Sequence, residues 1–438
     1  MKQDSTFNIQ TFGCRCNQAD SAAIRGSLCR SSLREAGSCQ DADLVVVNTC
    51  TVTHRTDQQV RQAVRRIHRE NPDARVVVTG CYAQRDPRTL ASLPGVSLVL
   101  GNADKERLAE IVEREIEGPA GRMIRSQLDA GRDYLLPACV QASGKTRPLV
   151  KLQDGCDARC SYCIIPSVRG PGRSARPADL LTEIRTLIER GYQEVVLTGV
   201  HLGTYGRNLE PRTRLLDLLC RILELPGLGR LRLSSIEPMH FSRAIVDLAA
   251  ASPTFAPHFH IPLQSGSDRI LRRMRRPYTA ARFMDLLEYI RAALPAAGLG
   301  TDVLVGFPGE TDEDFEATCE VVRNSTLTYA HVFPFSAREG TTACTLPDQV
   351  YPGTIHERAA IVRNIARVKN SSFRAGFVGR TLKGLTLAKE EEQGEGVVLT
   401  ENYIHARVAG TVPPPNRLVN VRIASVKRNA THAEIVEK

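Results

Sequence analysis

Three cysteines, Cys156, Cys160 and Cys163, lie within eight residues of one another. They follow the apolar run 149–152, so one loop after a predicted strand carries all three thiols. A structural zinc site would need a fourth nearby ligand, and no other cysteine has a suitable spacing. Three thiolates instead suit an iron–sulfur cubane whose fourth iron stays open for a small molecule. The end of a strand is also where α/β barrels place their active sites.

A second set of cysteines is related by position rather than by spacing. Cys14, Cys50 and Cys81 each follow a predicted strand, and Gly13 and Gly80 precede two of them. Because the carboxyl ends of parallel strands lie along one edge of a sheet, we expect the three thiols to meet there. The glycines would let the backbone turn sharply. Core packing would explain any one of these cysteines, but not three in equivalent positions.

The elements that position these thiols alternate between strand and helix, which predicts an α/β protein. Residues 5–118 predict a parallel α/β domain with strands at 7–12, 43–48 and 75–79 and a helix at 57–69. Residues 119–141, within a stretch rich in Gly, Arg and Ser, predict a linker. Residues 142–372 contain six strand–helix units, which predict a central partial (β/α)6 barrel followed by a connecting helix. Residues 375–438 alternate in short runs broken by Gly and Pro and predict a small C-terminal β-barrel.

The six predicted barrel strands lie at 149–152, 194–198, 230–234, 259–262, 301–305 and 331–335. The helices predicted between them lie at 178–190, 215–225, 243–250, 281–294 and 312–324, and the connecting helix lies at 355–373.

Composition indicates a globular chain and permits an anionic partner such as nucleic acid. The 438 residues carry a net charge of +10, and only 9 of the 58 basic residues are lysine. Arginine suits phosphate recognition, although codon bias in a GC-rich genome would give the same excess. The N-terminus has no apolar segment typical of a secretory signal, and no apolar run approaches the ~20 residues of a membrane span. The thirteen cysteines therefore predict metal chemistry in the cytoplasm rather than disulfides.

The cysteine motifs resemble a known family. Cys-x3-Cys-x2-Cys is the radical S-adenosylmethionine (SAM) signature, and the sequence around it resembles the methylthiotransferases. The C-terminal segment around residues 399–403 is similar to the RNA-binding TRAM domain of that family. Further motifs that carry the resemblance lie at 13–18, 48–53, 79–84, 154–170, 262–267 and 306–311.

The resemblance implies a radical SAM methylthiotransferase that modifies tRNA. The family has three main bacterial branches, and Asn17-Gln18 and the run 154–157 look most like the branch acting on threonylcarbamoyl-adenosine. This branch converts N6-threonylcarbamoyladenosine at position 37, beside the anticodon, to its 2-methylthio derivative. The alternatives are isopentenyl-adenosine in tRNA and an aspartate of a ribosomal protein. Cys16 departs from the family, whose members commonly carry an apolar residue there.

The resemblance also implies the cofactors and partners. One 4Fe-4S cluster on Cys156, Cys160 and Cys163 would bind SAM at its open iron and cleave it reductively to a 5'-deoxyadenosyl radical. A second 4Fe-4S cluster on Cys14, Cys50 and Cys81 would carry the methylated sulfur, so that two SAM molecules are used per turnover. The partners would be the tRNA anticodon arm and an electron donor of the flavodoxin or ferredoxin type, with no membrane. Further SAM contacts are expected at Tyr162, Thr198, Gly199, Ser235 and Glu237.

Other features admit simpler interpretations. Four arginines after residue 268 would steer the tRNA backbone or form a solvated helix face; they are Arg272, Arg273, Arg275 and Arg276. Cys220 and Cys319 lie among apolar helix residues and are expected in the core, and no role is expected for Cys29, Cys39, Cys139 or Cys344. A rival function is a non-catalytic RNA-binding protein with metal as a structural staple. We also expect that removing the C-terminal barrel weakens tRNA binding without affecting either cluster.

Overall fold

The computed structural model describes residues 5–115, 118–128, 146–388, 396–410, 412–428 and 430–436. Within these ranges the chain forms an N-terminal sheet, a central open barrel and a C-terminal closed barrel. The predicted α/β class and the order of its three parts are thereby confirmed. None of the helices in the described ranges is long and apolar enough to cross a membrane.

The N-terminal sheet has six parallel strands in the order β2-β1-β3-β4-β5-β6. Its central strand contains Val45, Val46 and Val47, all fully buried because helices cover both faces of the sheet. The elements are β1 (Thr6–Thr11), α1 (Arg15–Arg30), β2 (Arg34–Glu35), β3 (Leu44–Thr49), α2 (His54–Glu70), β4 (Arg75–Gly80), α3 (Cys81–Arg85), α4 (Pro87–Ala91), β5 (Val96–Leu100), α5 (Leu108–Glu115) and β6 (Arg122–Ile124).

One strand of this sheet corrects the predicted linker. Residues 122–124 lie inside the segment predicted as linker, yet they pair in parallel with β5. The first part of that segment therefore belongs to the N-terminal sheet. The short strand carries no buried apolar run, and two of its three residues are exposed, so its sequence has no strand pattern to detect.

Six parallel strands form the central barrel, in two groups, β7-β9-β10 and β11-β12-β13, with β8 added antiparallel beside β7. Helices cover the outside, and one large apolar core fills the space between strands and helices. The elements are β7 (Leu149–Asp154), α6 (Ile165–Arg169), β8 (Arg173–Ser174), α7 (Pro177–Glu189), β9 (Glu194–Gly199), α8 (Leu215–Leu223), β10 (Arg230–Leu233), α9 (Arg243–Ala251), β11 (His258–His260), α10 (Asp268–Arg273), α11 (Ala280–Ala293), β12 (Gly298–Val305), α12 (Asp312–Asn324), β13 (Tyr329–Pro334) and α13 (Pro352–Ala375).

The C-terminal strands close into a five-stranded barrel in the order β14-β15-β16-β18-β17. The long helix α13 ends five residues before this barrel begins. The strands are β14 (Thr381–Thr386), β15 (Gly396–Thr400), β16 (His405–Val408), β17 (Leu418–Lys427) and β18 (Ala430–Val436).

This small barrel is docked on the end of the central barrel where the strands begin. Glu194, Arg230 and Arg232 are buried at the starts of β9 and β10, and Arg232 donates to Glu194 at 2.8 Å. Arg232 also donates to the carbonyl of Glu401 at 3.0 Å, and Arg230 to that of Lys383 at 3.1 Å. The C-terminal barrel therefore closes the lower end of the central one, in addition to any role with RNA.

Candidate functional site

The loop after β7 brings Cys156, Cys160 and Cys163 together at the upper end of the central barrel. Gly155 begins the loop with φ +72°, and a Cβ there would lie 2.0 Å from the carbonyl oxygen of Pro171, so only glycine fits. Burial, with a further contribution from the nearby Cys160 and Cys156, raises the pKa of Cys163 to about 12. The three thiols are thus close enough to act on one another electrostatically.

Arg276 supplies positive charge to this group of thiols. It is buried, and its guanidinium donates to Sγ of Cys160 at 3.4 Å and to the hydroxyl of Tyr278 at 3.1 Å. It also forms an ion pair with Glu237. This corrects the expectation that Arg276 steers tRNA, because a buried side chain facing a cysteine cannot reach an RNA backbone. Its neighbours Arg272 and Arg275 are exposed.

A pair of histidines reaches the same thiols from the next strand. His201 follows β9, and its Nδ1 lies 3.4 Å from Sγ of Cys156, while its Nε2 lies 2.9 Å from Nδ1 of His240. Burial lowers the pKa of His201 to about 3, so the ring is neutral at pH 7. His201 is not among the residues expected from the sequence, where its only signal is a position two residues after the predicted contact Gly199.

The residues expected to contact SAM lie at the upper ends of the barrel strands. Thr198 and Gly199 end β9, with Thr198 buried, and Ser235 is exposed just after β10. Glu237 holds Arg276 beside Cys160. Tyr162 packs against the apolar residues of α10 and lines a cavity next to Cys163.

Cys14, Cys50 and Cys81 also converge, at the edge of the N-terminal sheet where β1, β3 and β4 end. Gly13 has φ +97°, and a Cβ on it would lie 2.4 Å from Cβ of Cys50. The glycine therefore lets the segment carrying Cys14 pass directly over Cys50. The nearby Cys81 and Cys14 add to burial in raising the pKa of Cys50 to about 12.

Cys16 forms a hydrogen bond with the predicted ligand Cys14. This hydrogen bond, together with the positive charge of Arg169, lowers the pKa of Cys14 to about 5. Cys14 is exposed, whereas Cys16 is buried beneath it. The thiol that departs from the family pattern therefore lies next to the predicted cluster site.

Arg169 connects the two sets of cysteines. It ends α6 in the central barrel, and its charge acts on Cys14 and Cys81. It is buried, donates to Asp154 at 2.6 Å and to Asp20 at 3.0 Å, and its Nε has no hydrogen-bond partner among the described residues. A buried cation with an unused donor next to thiols favours an anionic group at that place.

The helix that ends at Arg169 also separates the two sets of thiols. Cys81 packs against Ile164 and Val168, so the N-terminal site touches the segment that directly follows Cys163. A cavity of ≈ 240 Å³ lies beside this segment. It is lined from the N-terminal domain by Val52 and Thr53 and from the barrel by Tyr162, Cys163, Ile164, Ile165, Gln264, Asp302, Leu304, Phe333, Pro334, Phe335 and Ser336.

The donor sets suit iron–sulfur clusters. Each set supplies three cysteine thiols, and a cubane takes each of three thiolates on a different iron and leaves its fourth iron open. Arg276 and Arg169 each place a cation beside one set of thiols, which suits the negative charge of a thiolate-bound cluster.

Two cysteines on helices of the central barrel test the expectation that they lie in the core. Cys319 is buried, as expected. Cys220 is exposed on α8, which corrects the expectation that it lies in the core, because Leu218, Leu219 and Ile222 form the buried face of that helix. Cys139 lies outside the described residues.

Comparison with known proteins gives two family matches. Residues 150–322 match the radical SAM superfamily, and residues 6–101 match the uncharacterized protein family UPF0004. Among solved structures, the radical SAM methyltransferase TsrM from Kitasatospora setae covers 78% of this chain with a TM-score of 0.59 at 16% identity, which supports the fold.

Relatives of similar length carry two substrate names. The threonylcarbamoyladenosine tRNA methylthiotransferase of Bacillus subtilis is 34% identical over 96% of this chain and 94% of its own. The corresponding protein of Aquifex aeolicus is 35% identical over 92% of this chain and 96% of its own. The tRNA-2-methylthio-N(6)-dimethylallyladenosine synthase of Acidothermus cellulolyticus is also 35% identical, over 96% of this chain and 84% of its own.

Proposed function

Since the chain belongs to the radical SAM methylthiotransferases and is a tRNA-modifying enzyme, we propose that its substrate is N6-threonylcarbamoyladenosine at position 37 of tRNA. The observation that carries this proposal is the pair of cysteine sets on either side of the segment Ile164–Val168, with a cavity that is lined by Cys163 and by Val52 and Thr53, which follow Cys50. A base bound in that cavity lies next to Cys163 and near the residues that follow Cys50.

Each cysteine set has its own part in the proposed reaction. Cys156, Cys160 and Cys163 would hold a 4Fe-4S cluster with SAM, and Cys14, Cys50 and Cys81 would hold a second 4Fe-4S cluster. When bound, these groups supply the radical that removes hydrogen from carbon 2 of the adenine and the methylated sulfur that replaces it. A flavodoxin or ferredoxin would provide the electrons, and two SAM molecules would be used in each turnover.

The protein residues position and shield this chemistry. Arg276 and His201 would donate to the thiolates of Cys160 and Cys156 and stabilise their negative charge. Tyr162, Phe333 and Phe335 contribute apolar surface to the wall of the cavity. Thr198, Gly199 and Ser235 lie at the strand ends where the adenosine part of SAM would bind.

A second cavity, of ≈ 520 Å³, is proposed to hold the anticodon arm. It lies between β13, α13 and the C-terminal barrel, and we call it the basic groove. Aromatic side chains that line it, Tyr403 and Phe373, suit stacking with unpaired bases. Four arginines also line it, none with a carboxylate partner in the described part of the chain: Arg363, Arg367, Arg374 and Arg428.

Mass spectrometry of tRNA nucleosides tests the proposal. In a strain lacking this gene, we expect the 2-methylthio form of threonylcarbamoyladenosine to disappear and to return with the wild-type gene. If the 2-methylthio form of isopentenyl-adenosine disappears instead, the substrate is isopentenyl-adenosine in tRNA. The apolar lining of the cavity and the 35% identical dimethylallyladenosine synthase favour that alternative. If the tRNA nucleosides are unchanged and the methylthio group is lost from an aspartate of a ribosomal protein, that aspartate is the substrate.

Two cysteine variants separate the two predicted clusters. We expect Cys50→Ala to cleave SAM reductively without forming methylthiolated nucleoside, because the radical needs only the barrel cluster. We expect Cys160→Ala to lose SAM cleavage while keeping the N-terminal cluster. Iron content should fall to about four per chain in each variant, from about eight. Cys220→Ala, an exposed cysteine in neither set, serves as the control. Methylthiolated product from Cys50→Ala would contradict the role of the N-terminal set.

A further inference from the structure

Arg15 is the first residue of α1 and directly follows the predicted cluster ligand Cys14. Its side chain does not point to the N-terminal sheet but reaches into the central barrel. There its guanidinium donates to the hydroxyl of Ser234 at 3.2 Å and to that of Tyr403 at 2.9 Å. One arginine thus connects the edge of the cysteine site, the upper end of β10 and the C-terminal barrel.

The charge of Arg15 is not balanced by any carboxylate of the described residues. Throughout the described ranges, no carboxylate lies within ion-pair distance of its guanidinium. Nearby acids are already used, because Glu237 pairs with Arg276 and Asp302 lies 3.0 Å from Nε2 of His260. Within the described part of the chain, the hydrogen-bond partners of the Arg15 guanidinium are two neutral hydroxyls. A guanidinium has five N–H donors, so donors remain for a ligand.

The inner face of β13 connects this cation to the cavity between the cysteine sets. Phe333 lines that cavity, while His331 and Tyr329 follow at two-residue steps on the same face and line the basic groove. Each such step covers ~7 Å along a strand. Burial and the charges of His260 and Arg15 lower the pKa of His331, which places Arg15 close to this path. A base in the cavity can therefore extend a substituent toward Arg15.

The two tRNA substrates differ in the charge of that substituent. The threonylcarbamoyl group ends in the carboxylate of threonine, whereas the isopentenyl group is a neutral hydrocarbon. A half-buried arginine without an acidic partner in the described residues stabilises the threonine carboxylate, but it forms no favourable polar contact with the isopentenyl hydrocarbon. We propose that Arg15 binds the carboxylate of the threonylcarbamoyl group and so selects this nucleoside. This inference rests on the proposed function and adds the residue that determines its specificity.

Binding of three synthetic anticodon stem-loop RNAs tests this assignment without turnover. The RNAs differ only at position 37, which carries threonylcarbamoyladenosine, isopentenyladenosine or adenosine, and affinity for the intact protein with its clusters is measured by fluorescence anisotropy. We expect Arg15→Gln to weaken binding of the threonylcarbamoyl RNA about tenfold or more, as for a lost hydrogen bond to a charged group. Affinity for the other two RNAs should stay within about twofold, within the usual scatter of surface substitutions.

Controls separate recognition from structural effects. Arg25→Gln changes an arginine on the same helix that pairs with Glu35 at 2.7 Å, and it should bind all three RNAs as wild type does. Arg15→Lys should keep part of the preference, because the charge remains without the bidentate geometry. Tyr403→Phe removes one hydroxyl that holds Arg15 and should reduce the preference without abolishing it. Iron content and thermal melting of each variant report on folding next to Cys14.

Each contrary result has a distinct meaning. Equal loss for all three RNAs, in a variant with full iron and unchanged melting, would show that Arg15 binds an RNA phosphate and would overturn the assignment. A variant that keeps the wild-type preference would show that Arg15 merely links Ser234 to Tyr403, which also overturns it. If the wild-type protein itself shows no preference and the cellular tRNA nucleosides are unchanged by deletion, the proposed function fails together with the assignment.

Discussion

Arg276 places a permanent positive charge against the thiol of Cys160 and is itself held by Glu237 and Tyr278. A hydrogen bond to a cluster sulfur and a nearby cation both change the reduction potential of an iron–sulfur cluster. We therefore expect Arg276→Gln to slow reductive SAM cleavage about 10–100-fold, the usual effect of losing an outer partner of a metal ligand. Cleavage is measured as 5'-deoxyadenosine formed with dithionite as reductant.

The control for this prediction is Arg272→Gln, four residues earlier and exposed. It should leave SAM cleavage unchanged, because its side chain is not buried against the cysteines. The electron paramagnetic resonance spectrum of the reduced cluster gives a second measurement, and it should change in Arg276→Gln only. An unaltered spectrum with normal cleavage would mean that Arg276 has only a packing role.

At the residue scale, the sequence indicates which cysteines come together but not which side chains surround them. The spacing of Cys156, Cys160 and Cys163 and the strand-end positions of the other set were enough to group them. Arg276 comes from a loop 116 residues after Cys160, and His201 follows Cys156 by 45 residues. Such contacts depend on how strands are arranged around the barrel, and no local pattern in the sequence encodes them.

At the scale of elements, α1 is attached to the central barrel by buried charges. Asp20 on α1 is 1% exposed, lies 2.9 Å from Nζ of Lys105 and 3.0 Å from Arg169, and also pairs with Lys151. Together the three cations hold the pKa of Asp20 well below its usual range despite burial. Because Lys151 and Arg169 belong to the barrel, this network fixes one cysteine set relative to the other.

Removing the central carboxylate of this network should destabilise the protein strongly. Asp20→Asn leaves Lys151 and Arg169 with Asp154, and it removes the carboxylate that pairs with Lys105. Losing one member of a buried network costs about 3–5 kcal/mol of unfolding free energy. Urea unfolding measures the loss. The matched control is Glu110→Gln, which breaks the exposed pair between Arg107 and Glu110 and should have little effect. Equal midpoints for the two variants would contradict this account.

Most long elements were predictable because their apolar patterns are strong. The helices at 178–190 and 312–324 and the strands at 44–49 and 301–305 all appear within a few residues of their expected bounds. The added strands β2, β6 and β8 have two or three residues and no apolar run, so only pairing with their neighbours defines them. The strand β5 (Val96–Leu100) was also not predicted from the sequence, although all of its residues are buried.

At the scale of the whole molecule, the C-terminal barrel has a structural function that its sequence does not reveal. Burial favours neutral Glu194, but Arg232, Arg230 and Arg147 outweigh it and lower the pKa of Glu194 to about 2. Carbonyl groups of residues 399–401 accept hydrogen bonds from Arg230 and Arg232. Deleting the barrel would remove these acceptors and expose the ion pairs to water. This structural role argues against the expectation that removing the C-terminal barrel leaves both clusters intact.

The same docking creates the basic groove, since α13, β13 and the C-terminal barrel each supply one of its walls. Phosphate contacts by arginine make RNA binding depend on salt, with the slope set by the number of phosphates neutralised. Arg367 and Arg428 are exposed in this groove, on α13 and just after β17. We expect Arg367→Gln and Arg428→Gln each to weaken tRNA binding and to reduce the slope of log affinity against log salt by about 0.7–0.9.

The variant Arg272→Gln distinguishes two candidate RNA-binding surfaces, the basic groove and the arginines at the upper end of the central barrel. The sequence places a basic cluster at Arg272 to Arg276, but Arg276 faces Cys160, and Arg273 is only partly exposed. If the groove binds the anticodon arm, Arg272→Gln keeps the wild-type salt slope while the two groove variants do not. Filter binding of one tRNA at several salt concentrations measures all four proteins. A reduced slope for Arg272→Gln with normal slopes for Arg367→Gln and Arg428→Gln would move the RNA to the upper end of the barrel and leave the groove without a ligand.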